Sequence, residues 1–266
     1  MSAPVSQIVT LTTDFGLQDP FVGAMKGVMW RIHPRLQLVD ITHQIEPYQI
    51  LEAALVLPAF YPYYPVGTIH LVVVDPGVGG PRRPILAETR DYYFVAPDNG
   101  VLSMVYRDPA FQGVREITAR HYFLEEISAT FQGRDLFAPV AAWLASGVEP
   151  AGLGEEIQDY VRLAFPEPQW VGERELGGEI LYVDRFGNLI SNLPGSMIPG
   201  DRAGVRIRLG PIEIQGINRF YGEGPPGEPQ AILNSWGTLE VYIDQGNAHR
   251  SLGMGKGQRL SVLLEP

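Results

Sequence analysis

The sequence predicts an α/β domain with a mostly parallel sheet, followed by a smaller all-β domain that is a barrel or a sandwich. Three observations carry this expectation. Short apolar runs alternate with helix-period segments up to Phe165, prolines at 166 and 168 close that pattern, and beyond them only strand-like runs between Gly-rich turns remain. At 266 residues the chain can form two domains, each with its own core. The boundaries read as 1–165 for the α/β domain, 166–173 for a linker and 174–266 for the β domain.

Ile8 to Thr12, Leu36 to Val39, Ile69 to Val74 and Tyr92 to Ala96 are mainly β-branched, aromatic or aliphatic and are closed by Asp, Pro or Gly, so they read as buried strands. Between the first two, Asp19-Pro20 offers a capping carboxylate followed by proline at the first helical position. Phe21, Ala24, Met25, Val28 and Ile32 then recur at helical spacing. Ile50 to Phe60, Gly100 to Tyr106 and Arg134 to Ala145 also read as helices, the last kinked at Pro139. Alternating strands and helices imply a sheet covered on both faces. Beyond the prolines, Gly178 to Val183, Val205 to Leu209, Ile212 to Ile217, Ala231 to Leu233, Thr238 to Ile243 and Arg259 to Leu264 read as short strands, with no convincing helix among them.

Composition narrows the function classes. Hydrophobic residues at 45% and charged residues at 19% exclude a disordered chain. Thirty acidic against twenty basic residues give a formal charge of −10, a field that repels nucleic acid and anionic membrane. Cysteine is absent, which excludes disulfide scaffolds, thiolate nucleophiles and cysteine-bearing zinc sites. No run approaches the roughly 20 apolar residues of a membrane span. Met1 to Gln7 lack a basic segment with an apolar stretch behind it, so a cytoplasmic protein is expected. The five histidines (His33, His43, His70, His121, His249) show no metal-ligand spacing, and no metal site is expected.

The placing of the aspartates is the first functional signal. Asp14, Asp40, Asp75 and Asp98 each fall at or just past the end of an expected strand, and the carboxyl ends of parallel strands form the rim where such sheets bind ligands. Strand closure and helix capping use Asp too, but four on one edge favour a polar ligand site. Asp75-Pro76-Gly77-Val78-Gly79-Gly80 has neither P-loop nor dinucleotide spacing. It reads instead as a loop that brings Arg82 back to orient Asp75, or as a plain surface pair beside a turn. Thr130-Phe131-Gln132-Gly133-Arg134-Asp135 is compatible with simple helix capping. Asp184-Arg185-Phe186-Gly187-Asn188 and Asn234-Ser235-Trp236-Gly237 read as hairpin turns, and each also sets an aromatic beside an amide or hydroxyl, which suits stacking on a base and reading its edge.

In this order the segments resemble the S-adenosyl-L-methionine (SAM) hydroxide adenosyltransferases, or SAM hydrolases, which are related to the fluorinating and chlorinating enzymes. The text that carries the resemblance is Thr12-Thr13-Asp14-Phe15-Gly16 with Asp19 and Lys26-Gly27, Val74 to Gly79 with Arg82, Ala96 to Gly100, Thr130-Phe131 with Gly133-Arg134-Asp135, Phe186-Gly187-Asn188, and Asn234-Ser235. It implies a β-barrel as the second domain and a homotrimer with each site between one subunit's first domain and a neighbour's second. It further implies SAM and water as reactants, adenosine and L-methionine as products, and no cofactor. Asp14 would match the carboxylate on the ribose hydroxyls, Phe186 and Asn188 the adenine-binding turn, and Asp184 and Ser235 positions that hold the methionine end. Asp75 and Arg82 would match two members of the family's Asp, Arg and His set for the water.

The third member differs, because Gln132 stands where the family reads His. Glutamine can orient a water by hydrogen bonds but cannot take its proton near neutral pH, so the base would be Asp75 alone. Two readings follow: a slow adenosine-forming hydrolase, or a SAM- or adenosine-binding protein with little turnover. Halide use is disfavoured, because the halogenating relatives carry Ser at the position of Gly133 and an aromatic at that of Asp75, and a carboxylate there repels an anion. A phosphate-transfer enzyme built on Asp14 and a metal lacks further ligands.

Overall fold

The computed structural model describes residues 5–198 and 202–264; Met1 to Pro4 of the N-terminal stretch read above lie outside them. The chain divides into two compact units, Met1–Leu163 and Ala164–Pro266.

The first unit contains β1 (Ile8–Thr13), α1 (Phe21–Ile32), β2 (Gln37–Thr42), α2 (Ile50–Val56), β3 (Ile69–Val73), β4 (Pro84–Thr89), β5 (Tyr93–Pro97), β6 (Phe111–Glu116), α3 (Ala138–Ala145) and β7 (Glu156–Ile157). Its strands form one sheet in the order β2-β1-β3-β5-β4-β6-β7. The pairs β1–β2, β1–β3 and β3–β5 are parallel, whereas β4–β5, β4–β6 and β6–β7 are antiparallel. The sheet is therefore mixed rather than mostly parallel. The cause is local: the loop after β3 returns the chain at Pro84, and β4 forms a hairpin with β5 instead of crossing over.

Side-chain alternation along β3 explains why its run is apolar throughout. Ile69, Leu71 and Val73 join a core with Met25 and Met29 of α1 and with α3. Val72 and the following Val74 join another with Ala53 of α2, Leu57 and Val101. Each such aliphatic burial contributes about 1.5–3 kcal/mol. His70 sits in the second layer, bonded through Nδ1 to Thr10 Oγ1 at 2.8 Å among the rings of Phe60, Tyr61 and Phe94, and burial pushes its pKa down to about 3. It is a neutral core residue.

Three helix expectations are corrected. Pro20 rather than Asp19 occupies the N-cap of α1, its carbonyl accepting the Ala24 N–H at 2.9 Å with no side-chain cap. Gly100 to Tyr106 forms tight turns ending in a 3-10 turn at Val105–Arg107, because Gly100 adopts φ +93° and interrupts any helical start. Pro139 does not kink a long helix. A π-helical turn over Gly133–Phe137 precedes α3, and the Asp135 carbonyl, which Pro139 cannot serve, accepts the Leu124 N–H at 2.9 Å instead.

The second unit contains β8 (Gln169–Val171), β9 (Glu175–Val183), β10 (Leu189–Pro194), β11 (Val205–Leu209), β12 (Ile212–Gln215), β13 (Pro229–Leu233), β14 (Thr238–Ile243), α4 (Ala248–Leu252) and β15 (Arg259–Leu264). Antiparallel pairing runs β12-β11-β15-β9-β10-β14-β13, with β8 on β9 from within the stretch read as a linker. Asn218 then bridges to Ile232 of β13, so the sheet nearly closes into a barrel around Leu176, Leu189, Ile207, Val241 and Val262. Contrary to the all-strand expectation, α4 is a short helix: Asn247 caps it by accepting the Arg250 N–H, and Gly253 ends it at φ +65°.

Candidate active site

In the first unit Asp75 pairs with Arg82 and lies close enough to Asp14 to affect its charge, and the segment that carries Gln132 packs on the loops of both aspartates. Asp14 directly follows β1, and its Oδ2 accepts the Tyr48 N–H at 2.9 Å. Tyr48 holds φ +70°, a left-handed conformation that costs a non-glycine residue about 1 kcal/mol or more and is retained where it aims a group. Burial pushes the Asp14 carboxyl up from its ordinary value, the amides of Tyr48 and Asp14 itself pull it down, and the neighbouring charge of Asp75 adds to the rise.

Asp75 follows β3 by one residue. The Val78 N–H bonds to the Asp75 carbonyl and the Gly80 N–H to the Gly77 carbonyl, and this double turn returns Arg82 to the carboxylate. Arg82 Nε lies 3.1 Å from Oδ1 and 2.9 Å from Oδ2, with Nη2 2.5 Å from Oδ2. The two side chains are only 4% and 11% exposed, so this is a buried, bidentate pair rather than a surface one. Oδ1 receives a single long bond from Arg82 and keeps a lone pair for another donor.

Gln132 is fixed by the knot around it. Arg134 pairs with the fully buried Asp135, whose Oδ2 also accepts the Ser128 N–H at 2.8 Å. The chain so held brings the Ala129 carbonyl to 2.3 Å from where a Cβ on Gly79 would stand. The Gln132 segment thus packs directly on the Asp75 loop, and Phe137 of the same turn lies under the Arg82 guanidinium at 5.3 Å. On its other side Phe131 meets the ring of Phe15, next to Asp14. Gln132 Oε1 is buried without a hydrogen-bond partner among the described residues.

This packing gives a stability prediction. Gly79→Ala places a Cβ against backbone at a residue with φ +76°. It is expected to cost about 2–4 kcal/mol, read as a lower denaturant midpoint with unchanged slope.

The other two aspartates do not join the site. Asp40 lies inside β2, where it contacts Lys26 and His43; these partners outweigh burial and hold its carboxyl below the ordinary value. Asp98 does end β5, but Arg83 and the Val161 N–H occupy its carboxylate. The expected rim of four is a pair.

In the second unit, the Asp184 turn forms one wall of a cavity of about 480 Å³ lined also by Phe186, Asn188, Tyr221, Tyr242 and Asp244. Asp184 Oδ1 accepts the N–H groups of Phe186 and Asn188 at 2.9 and 2.8 Å, and Oδ2 accepts Asn188 Nδ2 at 3.0 Å. The carboxylate therefore builds the turn, leaving the Phe186 ring 72% exposed. Gly187, at φ +89°, is required because a Cβ there would meet the Asn247 side chain at 2.2 Å. Ser235 is exposed on its own turn and does not line the cavity. Asn234 beside it links to the cavity through Glu240, which accepts from Asn234 Nδ2 at 3.1 Å and from the Tyr221 hydroxyl at 2.8 Å. Burial pushes the Glu240 carboxyl up from its ordinary value, and the nearby Asp184 adds to the rise. A larger cleft of about 660 Å³, lined by Glu167, Glu175, Glu179, Arg208 and Arg259, contains none of the expected site residues.

The models of the SAM hydroxide adenosyltransferase N-terminal and C-terminal domains match residues 9–154 and 178–261. The chain belongs to the SAM hydroxide adenosyltransferase family. It is 37% identical to a Salinispora tropica protein and 36% identical to a Thermus thermophilus protein, both named (R)-S-adenosyl-L-methionine hydrolase. Each match covers 96% of this chain, with 97% and 99% of those relatives. A solved structure of an uncharacterised conserved protein from Thermotoga maritima superposes with TM-score 0.89 at 36% identity, covering 96% of this chain and 99% of that one. More distantly, it is 26% identical to a fluorinase from Actinoplanes sp. over 91% of this chain and 92% of that relative.

Sequence reasoning missed Tyr48, Tyr221, Glu240 and Asp244, which the structure sets beside expected site residues. Tyr221 left one signal, an aromatic pair Phe220-Tyr221 in an otherwise Gly- and Pro-rich loop. Tyr48 acts through its backbone N–H and Glu240 through a buried carboxylate, and neither they nor the cavity-lining Asp244 leave one. Among the described residues no group of three His, Asp or Glu side chains is placed to hold a metal ion, and no helix is long and apolar enough to cross a membrane.

Proposed function

We propose that the protein hydrolyses S-adenosyl-L-methionine to adenosine and L-methionine, with Asp75 as the base for the attacking water. The observation that supports this most is the buried Asp75–Arg82 pair packed against the Gln132 segment and beside Asp14. The water oxygen forms a bond to the ribose 5′ carbon as the bond from that carbon to sulfur breaks. The bonding pair goes to sulfur, so the cationic sulfonium leaves as the neutral thioether of methionine, and the water proton passes to Asp75 Oδ1 and on to solvent. A leaving group that becomes neutral needs no general acid. The protein's part is an aligned water, a charged acceptor and exclusion of bulk solvent.

In this reading Asp14 binds the ribose hydroxyls, Arg82 orients Asp75, and Gln132 offers its amide to the water. Phe186 and Asn188 receive the adenine, and Asp184 and Ser235 the methionine end. Tyr221 adds a second aromatic wall to the Phe186 cavity. The proposal includes a cytoplasmic homotrimer that uses no cofactor, with each site formed by residues 1–165 of one subunit and residues 174–266 of a neighbour; light scattering at three chain masses tests the assembly. The −10 charge suits a cationic substrate.

The deciding experiment incubates the purified protein with each sulfonium epimer of SAM and follows adenosine and methionine by chromatography. Product above the spontaneous rate is expected from the (R) epimer, the form in the names of the hydrolase relatives. The second reading, a SAM- or adenosine-binding protein with little turnover, is favoured by Gln132 and predicts binding without product.

Asp14 gives this reading a pH dependence. Its carboxylate is the form that accepts ribose hydroxyls, and its folded pKa is raised above 3.8. Affinity is therefore complete above that raised value and is lost as pH falls through it, earlier than for an ordinary aspartate. KM for SAM is expected to climb on acidification, and Asp14→Asn is expected to start from a higher KM and lose that climb.

A further inference from the structure

A chain of hydrogen bonds and close polar contacts runs beneath the Asp14 loop and takes no part in the chemistry above. Lys26 Nζ of α1 donates to Asp40 Oδ2 at 2.6 Å. Asp40 Oδ1 lies 2.9 Å from His43 Nε2, and His43 Nδ1 lies 2.8 Å from Thr13 Oγ1. Thr13 Oγ1 accepts the Phe15 N–H at 3.2 Å. The contacts set the tautomer. A bare ring nitrogen so close to a carboxylate would be repelled, so Nε2 carries the hydrogen. Nδ1 is then an acceptor, and the Thr13 hydroxyl donates to it. That leaves the hydroxyl lone pairs for the Phe15 amide.

The same segment grips the loop through its backbone. The Gly16 N–H donates to the His43 carbonyl at 2.7 Å, and the Tyr48 N–H donates to Asp14 itself. Asp14 is flanked by Thr13 and Phe15, both fixed by this chain, with Gly16 fixed one residue further on. His43 is 3% exposed and sits where all these contacts converge.

We infer that His43 is a positioning residue for Asp14: it sets the carboxylate's aim at a ribose diol, so preference for ribose over deoxyribose runs through a side chain that touches no substrate. This rests on Asp14 being the ribose-binding group. Removing the imidazole frees Thr13 and lets the loop carry Asp14 off the hydroxyls, while the rest of the nucleoside is held by other residues.

The test is calorimetric binding of adenosine and 2′-deoxyadenosine to the full-length protein and its variants, with melting temperatures recorded. The parent is expected to prefer adenosine by about tenfold or more, the worth of a hydroxyl bond to a carboxylate. His43→Ala and the near-isosteric Thr13→Val, which breaks the same chain without removing bulk, are expected to lose most of that preference by weakening adenosine alone. His43→Asn, whose carbonyl replaces Nδ1 as acceptor, is expected to restore it. A merely structural role would weaken both nucleosides equally, and that result overturns the inference, as does full retention of the preference in Thr13→Val. A parent with no preference would overturn the reading of Asp14, and this inference with it.

Discussion

Asp75→Asn is expected to lower kcat for S-adenosyl-L-methionine by about 10²–10⁴, the usual worth of a general base, while leaving substrate affinity within a few-fold. The amide keeps the shape of the carboxylate but neither its charge nor its basicity. The attacking water then has no group to take its proton as the bond to the ribose carbon forms. Substrate contacts are made elsewhere, so the loss falls on kcat. Arg82 complicates the single variant, because its guanidinium is buried and loses its counter-charge. Breaking such a pair from one side costs about 3–5 kcal/mol. The double variant Asp75→Asn/Arg82→Gln removes both charges and leaves two amides that can bond to one another. Its melting temperature is expected to recover towards the parent while turnover stays lost. A double variant that regained stability and activity together would show that the aspartate serves the fold rather than the chemistry, and an Asp75→Asn protein as fast as the parent would remove the mechanism.

Strands β1, β3 and β5 were legible because burial on both faces forces a continuous apolar run, as Ile69 to Val74 shows, whereas β2, expected to be buried, is a half-exposed edge strand. Strand β6 was not, since Phe111–Glu116 is half-polar and lies between the returning strand β4 and the two-residue β7. That one reversal turned an expected parallel sheet into a mixed one. Of the candidate site, the local pairs were legible where two polar side chains flank a glycine-bearing turn. Asp75 with Arg82, and Asp184 with Asn188, are joined within seven and four positions of sequence, and loop geometry alone brings them together. Asp40 misled because a carboxylate near a strand end looks the same whether it faces a ligand or a lysine fourteen residues back on a helix. Tyr48 was invisible for another reason: it contributes a main-chain N–H, and every non-proline residue has one. The positive φ that aims it goes with two backbone bonds, the Tyr48 N–H to Asp14 and the Ile50 N–H to the Tyr48 carbonyl, and no residue type announces either.

Gln132→His is expected to raise kcat by up to about 10², the low end of what a positioned second base supplies. Gln132 stands at the N-cap of the π-helical turn, with its Oε1 buried and unpartnered among the described residues. An amide there can accept a bond from the water and fix its direction, but the proton must go to Asp75. Imidazole in the same place can take the proton itself, and it leaves Asp75 to orient the water. The two roles separate in the pH profile. The variant's kcat is expected to acquire an acidic limb near the imidazole pKa of about 6.5, rising with pH because only the neutral ring accepts a proton. The parent is expected to lack that limb. Gln132→Ala supplies the opposite arm: losing the amide's hold on the water is expected to slow turnover about tenfold or more, at nearly constant SAM affinity. If the histidine variant is no faster and the alanine variant no slower, the position does not reach the water at all, and the base chemistry lies wholly with Asp75.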